Sequence, residues 1–433
     1  MNYQELYKSK LCTPQDVAKS IRPNDGIFLS PVAGTPFDIL DAMVEIYEEL
    51  ENVQLHSAFM MRPMPFHFDP DFKNHITYYS FFMGALERKV HPMGSIKHSS
   101  VHFSELDVAL KNPDYNINTL MAGVSPMDED GYFYYGPMGV SSCGTVASMP
   151  QVDKIVVQVT STMPRTNGEF HRVHINDVSM IVEQDFPLAD FPEAPVSDLD
   201  RAIAAYLVPR VPDGCTLQVG LGGLANAVAY SLEDKKNLGV HTEMITESMM
   251  YLAQKGVISR KIIGGFALGT EKLYKFAGEN DQIFLSPIHL VNKPEKIAEY
   301  DSFVSINSCL MSDLTGQIAS EGVGFRPVSS TGGAADYVRG ASHSKNGQSF
   351  LCLASTAVDK EGNRSSNIVL ALPPGTPVTI QRSDVQYVVT EYGIADLYQK
   401  NIEERVTAMI SIAHPDFREE LHQQALEAKL IFA

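Results

Sequence analysis

The sequence predicts an α/β protein built from two similar domains. Three observations carry that expectation: strand-like apolar runs alternate with helical stretches, a proline-rich break lies near mid-chain, and one turn-strand-glycine pattern occurs on each side of it. The runs KIVVQVT (154–160), SFLCLAST (349–356) and VQYVVT (385–390) read as strands of largely buried sheets, and ANAVAYSLED (225–234) reads as a helix. DFPLADFPEAPVSDL (185–199), with Pro187, Pro192 and Pro195, interrupts every periodic pattern and reads as a linker. Ser197 and Asp200 then suit the start of a helix, DLDRAIAAYL. The boundary falls near 195, giving an N-terminal domain of residues 1–194 and a C-terminal domain of 195–433.

The halves share a plan. PNDGIFLSPVAGTPFDIL has Asp25-Gly26 leading into an apolar strand, with Gly34 eight residues beyond Gly26. PDGCTLQVGLGGLANAV repeats this, with Asp213-Gly214 followed by Gly222 at the same distance of eight. Further on, VQLHSAFMM and LGVHTEMIT align through His56 and His241, which sets Ala58 against Glu243. An internal duplication follows, in which one copy carries a carboxylate.

Composition narrows the function. Lys and Arg number 34 against 52 Asp and Glu, a formal charge of −18 that argues against a nucleic-acid surface. MNYQELYKSK has no apolar leader and no apolar run reaches membrane-spanning length, so a cytoplasmic protein without membrane association is expected. The five cysteines lack CxxC spacing, and His98 and His102 lack a third partner, so no metal site is expected.

Two places carry chemistry. Glu243 stands where the apolar run LGVHTEMIT gives way to the helical stretch ESMMYLAQKG, a position for a reacting group or simply for a solvated charge. VGLGGLANA (219–227) follows a strand and opens a helix, so its glycines leave backbone N–H groups bare for an anion or a developing oxyanion. Gly220-x-Gly222-x-x-Ala225 also fits a dinucleotide fingerprint with an acid 23 residues on, which keeps an NAD-dependent dehydrogenase open as an alternative. The other alternative makes Glu243 a nucleophile toward an acyl thioester. A carboxylate is already ionised at neutral pH and needs neither metal nor base, only donors aimed at the tetrahedral oxygen. Glu391, also after a threonine at a strand end, has no comparable glycine loop.

With VSPMDEDGYFYYG, TMPRTNGEFH, LGVHTEM, STGGAADYVRGA, VVTEYGIADL and ISIAHPDFREEL in place, the chain resembles the acetyl-CoA hydrolase/transferase family of class I CoA-transferases, in the branch of 4-hydroxybutyrate CoA-transferase and butyryl-CoA:acetate CoA-transferase. The resemblance spans essentially the whole chain. It implies two α/β domains with the active site in the cleft between them, and Glu243 becoming a glutamyl-CoA thioester in ping-pong transfer of CoA between an acyl-CoA and a small carboxylic acid. It further implies CoA contacts at Gly220, Leu221, Gly222, Gly223 and Leu224, at Leu310, at Gly333 and at Lys360. Coenzyme A is then substrate and covalent intermediate, with no tightly bound cofactor, and relatives suggest a homodimer. Thioester hydrolysis at the same site is the companion alternative. The plain alternatives are a simple turn at Gly333 and a solvated surface lysine at Lys360.

Where many relatives have Gln, this chain has Arg326, and it has Ala334 after the second glycine pair. Arg326 is therefore a candidate for holding the distal carboxylate of a dicarboxylic acyl group such as succinyl or itaconyl. Met60, beside Met61 at the alanine-bearing strand end, is a candidate for adaptable apolar acyl surface, against ordinary core packing.

Overall fold

A computed structural model describes residues 2–432. Strands β1 (Gly26–Leu29), β2 (Val53–Ser57), β3 (Ile76–Ser80), β4 (Ile96–His98), β5 (Ile117–Val124), β6 (Lys154–Val159) and β7 (Met180–Glu183) form one sheet in the order β4-β3-β2-β1-β5-β6-β7. All neighbours in it are parallel. Strands β8 (Thr216–Val219), β9 (Leu238–Ile245), β10 (Ile258–Ala267), β11 (Ile283–Leu285), β12 (Phe303–Ser308), β13 (Gln348–Cys352), β14 (Tyr387–Thr390) and β15 (Gly393–Asp396) form a second, in the order β11-β10-β9-β8-β12-β13-β14-β15. The second order repeats the first strand for strand and adds β15 antiparallel at the edge. The duplication is thus a duplication of topology.

Parallel sheets need cover on both faces, and the alternation of the first sheet supplies it. Ile27, Leu29, Val53 and Leu55 pack with Ile39, Leu40 and Met43 of the helix Phe37–Glu45, while Phe28, Leu120, Ala122 and Val157 pack with Cys143 and Val146. In the second sheet Leu351 and Val388 pack with Val338, Val406 and Met409.

The sequence correspondences between the halves hold only to within two residues. Phe28 lies opposite His56, whereas Thr216, which matches Phe28 when Gly26 is set on Gly214, lies opposite Gly239 and not His241. An even slip leaves every side chain on its face, so the core tolerates it.

The chain packs as two compact units. One comprises Met1–Pro192, Glu243–Thr246 and Ile263–Val291; the other comprises Glu193–Thr242, Glu247–Ile262 and Asn292–Ala433. The break at 192/193 lies close to the predicted 194/195, but the units are not contiguous in sequence, and Glu243 groups with the first. Within that first unit the returning segment is held by backbone bonds: Leu285 N–H donates to Asn167 O, Glu169 N–H to Leu285 O and Ile288 N–H to Ser141 O, each at 2.9 Å. Gly168 permits this approach, since a Cβ there would stand 1.8 Å from Leu285 O.

The linker region is a pinned strap. In the first unit Phe191 N–H donates to Gly269 O and Tyr274 OH to Ala189 O; in the second Tyr230 OH donates to Glu193 Oε2 at 2.6 Å. Helix α1 (Asp198–Leu207) starts as expected, with Ser197 accepting from Asp200 N–H at 3.1 Å and Asp200 answering to Ser197 N–H at 2.9 Å. Among the described residues no helix is long and apolar enough to cross a membrane.

Candidate active site

In a sheet that grows from its middle both ways, the carboxyl ends of the two central strands splay apart and leave room for a ligand. In the second unit those strands are β8 and β12. From β8 the chain enters the loop 220–222 and then helix α2 (Gly223–Tyr230). Gly220 N–H donates to Ile306 O of β12 at 2.9 Å, so this amide is already engaged. The amides of Leu221, Gly222, Gly223 and Leu224 have no acceptor among the described residues, and they gather at the positive end of α2. Gly222 has φ 115° and ψ −177°, a conformation essentially closed to other residues. At Gly223 a Cβ would stand 2.6 Å from Asp200 Oδ2 and from Pro195 O, so the loop sits directly on the cap of α1.

A buried polar network lies under this loop, and it was missed in the sequence. Gln218 of β8 accepts from Ser305 Oγ at 2.7 Å and from Asn307 Nδ2 at 3.2 Å, and donates to Asn307 Oδ1 at 3.0 Å. The signal was present: a glutamine inside CTLQV, and Ser and Asn inside FVSINS, are polar intrusions in strands that are otherwise apolar.

The other second-unit candidates lie along the same edge. Leu310 follows β12, half-buried, its N–H donating to Ala319 O at 2.9 Å. Gly333 is the N-cap residue of helix α3 (Ala334–His343), after Gly332 at φ 59°. Lys360 is exposed in the turn between Thr356–Val358 and Arg364–Ser366. Glu391 braces that hairpin's root, accepting from Ser355 Oγ at 2.5 Å and Ser355 N–H at 3.0 Å, which gives it a structural task. Arg326 is exposed at the tip of another hairpin, where water would compete for any carboxylate it held.

In the first unit, Glu243 is half-buried and lies within β9, which continues through Ile245; the expectation that the strand ends at this residue is corrected by two residues. β10 comes close behind it, since a Cβ on Gly265 would stand 2.9 Å from Glu243 O. Next along the chain, Met244 is buried in an apolar cluster with Val32, Ala33, Met138, Leu268 and Tyr274, against which Phe59 and Met61 pack. Val32 at φ 52° and Phe59 at φ 56° are both strained, and they occupy the loops after β1 and β2. Strain in a β-branched and an aromatic residue at adjacent strand ends marks a shape the surrounding packing enforces.

Met60 itself packs in the main core with Ile39 and Leu40 and is 2% exposed. Its N–H donates to Glu87 Oε1 at 3.0 Å, and this buried carboxyl also accepts from Tyr78 OH at 3.0 Å, Ser80 Oγ at 3.2 Å and Gly84 N–H. Burial raises the Glu87 pKa above the ordinary carboxylate value. The methionine that reaches the cluster around Met244 is therefore Met61, not Met60.

Residues 1–191 match the acetyl-CoA hydrolase/transferase N-terminal domain, and residues 269–425 match the C-terminal domain of the same name. The chain belongs to the acetyl-CoA hydrolase/transferase family. Its near-full-length likeness to several CoA-transferases makes it an acyl-CoA:carboxylate CoA-transferase and not an NAD-dependent dehydrogenase. The chain is 36% identical to butyryl-CoA:acetate CoA-transferase of Anaerostipes caccae, covering 99% of both. It is 37% identical to succinyl-CoA:cyclohexane-1-carboxylate CoA transferase of Geobacter metallireducens, over 98% of this chain and 97% of that one. Among solved structures, RipA from Yersinia pestis superposes with a TM-score of 0.92 at 32% identity, over the full length of both chains.

Proposed function

We propose that the enzyme moves CoA between short-chain acyl-CoAs and carboxylic acids in two half-reactions carried by Glu243. The carboxylate attacks the thioester carbonyl, the tetrahedral adduct expels the CoA thiolate, and an acyl-glutamyl anhydride forms. The thiolate then attacks the glutamyl carbonyl of the anhydride, leaving a glutamyl-CoA thioester and releasing the first acid. A second carboxylate reverses both steps with its own acyl group. The steps balance without a metal, a redox partner or net proton transfer.

One observation carries this assignment: the single ionisable side chain in the run LGVHTEMIT that can act as a carboxylate nucleophile lies on the β9 strand next to a buried apolar cluster suited to a short acyl chain. Within the second unit, the free amides of residues 221–224 at the start of a helix suit an anionic group such as the CoA pyrophosphate. The relatives named for butyryl, acetyl and succinyl groups support short mono- and dicarboxylic acyl chains as the substrate class.

Release of the first acid tests the proposal. Mixed with acyl-CoA and no acceptor, the enzyme should release one equivalent of acid per site and stop, and acetate should restore turnover. Continued release without an acceptor would make it a hydrolase, and no release until the acceptor arrives would exclude the two-step route.

A further inference from the structure

Both hairpins of the second unit that carry candidate cations spring from one small sheet. Its central strand, Met311–Asp313, pairs antiparallel with Ile318–Ala319, with Met311 opposite Ala319, and parallel with Ile368–Val369, with Ser312 opposite Ile368. Stepping the first register back by one residue and the second by two places Ser320, as the chain leaves Ala319, and Ser366, as it arrives at Ile368, on either side of Leu310. The first of these becomes the hairpin in which Val323 pairs with Arg326; the second comes from the hairpin in which Val358 pairs with Arg364. With neighbouring strands about 4.8 Å apart, the hairpin roots stand roughly 10 Å from each other, about the width of a nucleotide.

The tips match in chemistry as well as in place. Phe325 is 90% exposed, and Arg326 and Lys360 are exposed, their side chains making no ion pair or hydrogen bond among the described residues. The tip at Phe325 is nevertheless fixed. Gly324 N–H donates to Thr376 Oγ1 at 2.8 Å, and Gly375, at φ 84°, lies so close that a Cβ there would stand 2.7 Å from the Phe325 ring. A held aromatic face beside an unpaired guanidinium, with an ammonium across the way, offers what a purine and its phosphates need: stacking area, a planar fork of donors and a point charge.

We propose that the hairpin Gly322–Pro327 docks the nucleotide end of CoA, with adenine stacked on Phe325 and phosphate oxygens held by Arg326, opposite Lys360. The assignment rests on the CoA-transfer function stated above, and it gives Arg326 a phosphate in place of an acyl carboxylate.

The test compares two donors carrying the same acyl group: the CoA thioester and the pantetheine thioester, which lacks the nucleotide. Phe325→Ala and Arg326→Gln should each raise KM for the CoA thioester about 5–100-fold and leave kcat/KM for the pantetheine thioester unchanged. Calorimetry with 3′-phosphoadenosine 5′-diphosphate alone should show the same loss of affinity, with Arg326→Lys recovering part of it. Equal effects on both donors, no effect on either, or an Arg326→Gln enzyme altered only in its choice between mono- and dicarboxylic acids would each overturn the proposal. Failure of the catalytic reading would show differently, as a parental enzyme that binds the nucleotide but never forms a CoA adduct.

Discussion

The two copies of the fold differ most where their first strands end. After β1 the chain makes a short 3₁₀ turn, Val32–Gly34, in which Gly34 is tightly packed: a Cβ would stand 2.2 Å from Ser30 Oγ. After β8 the corresponding Gly222 has nothing within 4 Å of a Cβ position, yet adopts φ 115°. One glycine is demanded by space and the other by backbone conformation. The neighbouring strands diverge too, since β2 stops at Ser57, before Ala58, whereas β9 runs on through Glu243 to Ile245. The first copy has become packing around an apolar cluster, while the second has kept open amides and the strand bearing the carboxylate. A duplicated scaffold therefore retains its topology while the segments that follow its first strands diverge.

The sharpest way to break this contrast is to exchange its key residues. Glu243→Gln, checked for slow deamidation, should lower kcat by about 10⁴-fold or more, as expected for loss of a nucleophile. Ala58→Glu added to it should restore nothing, because the first copy lacks the open loop. Measurable rescue in steady-state assays would mean that the copies are functionally interchangeable.

The glycines separate next. If the open loop binds CoA as proposed, Gly222→Ala should raise KM for acyl-CoA about tenfold or more, since a strained φ costs of order 1–3 kcal/mol there. Gly34→Ala should cost about 1–3 kcal/mol in urea unfolding through overpacking, with KM unchanged. The reverse pattern would dissolve the distinction. Beneath the open loop, Gln218→Leu should destabilise by about 1–3 kcal/mol by stranding Asn307 and Ser305, seen as a lower urea midpoint.

The paired histidines give the smallest effect. His56 is enclosed by Tyr79, Phe81 and Tyr115, and burial holds its pKa down at about 3. A base with a depressed folded pKa contributes stability that is intact above its unfolded value and is lost as pH falls toward the folded one. Relative to His56→Phe, the parental protein should therefore lose about 1.4 kcal/mol per pH unit between roughly pH 6 and pH 4. His241 is bonded through Nδ1 to Tyr300 OH at 3.2 Å, and His241→Phe should remove that hydrogen bond. Parallel stability curves for parent and His56→Phe would contradict the burial argument.

Much of this was legible in the sequence because it is local. The strand runs, the Ser197 cap and the strand-to-helix glycine turn are each written within a few residues, and the repeat of Asp-Gly at 25–26 and 213–214 announced the duplication. What stayed hidden depends on residues far apart in the chain. The return of Ile263–Val291 to the first unit is fixed by bonds to residues 141–169, and Gln218 finds its partner 89 residues away at Asn307. Met60 and Met61 were inseparable by type, because only the hydrogen bond to Glu87 decides which one turns into the core. The two-residue register slip was invisible for a related reason: it preserves every apolar alternation from which a register can be read.

The most direct measurement is the intact mass of the protein after brief exposure to acyl-CoA without an acceptor acid, followed by peptide mapping. One CoA joined per chain with loss of water, located on the peptide containing Glu243 and discharged by added acetate, is the predicted result. An unmodified protein that still transfers CoA, or an adduct on any other residue, would contradict the account.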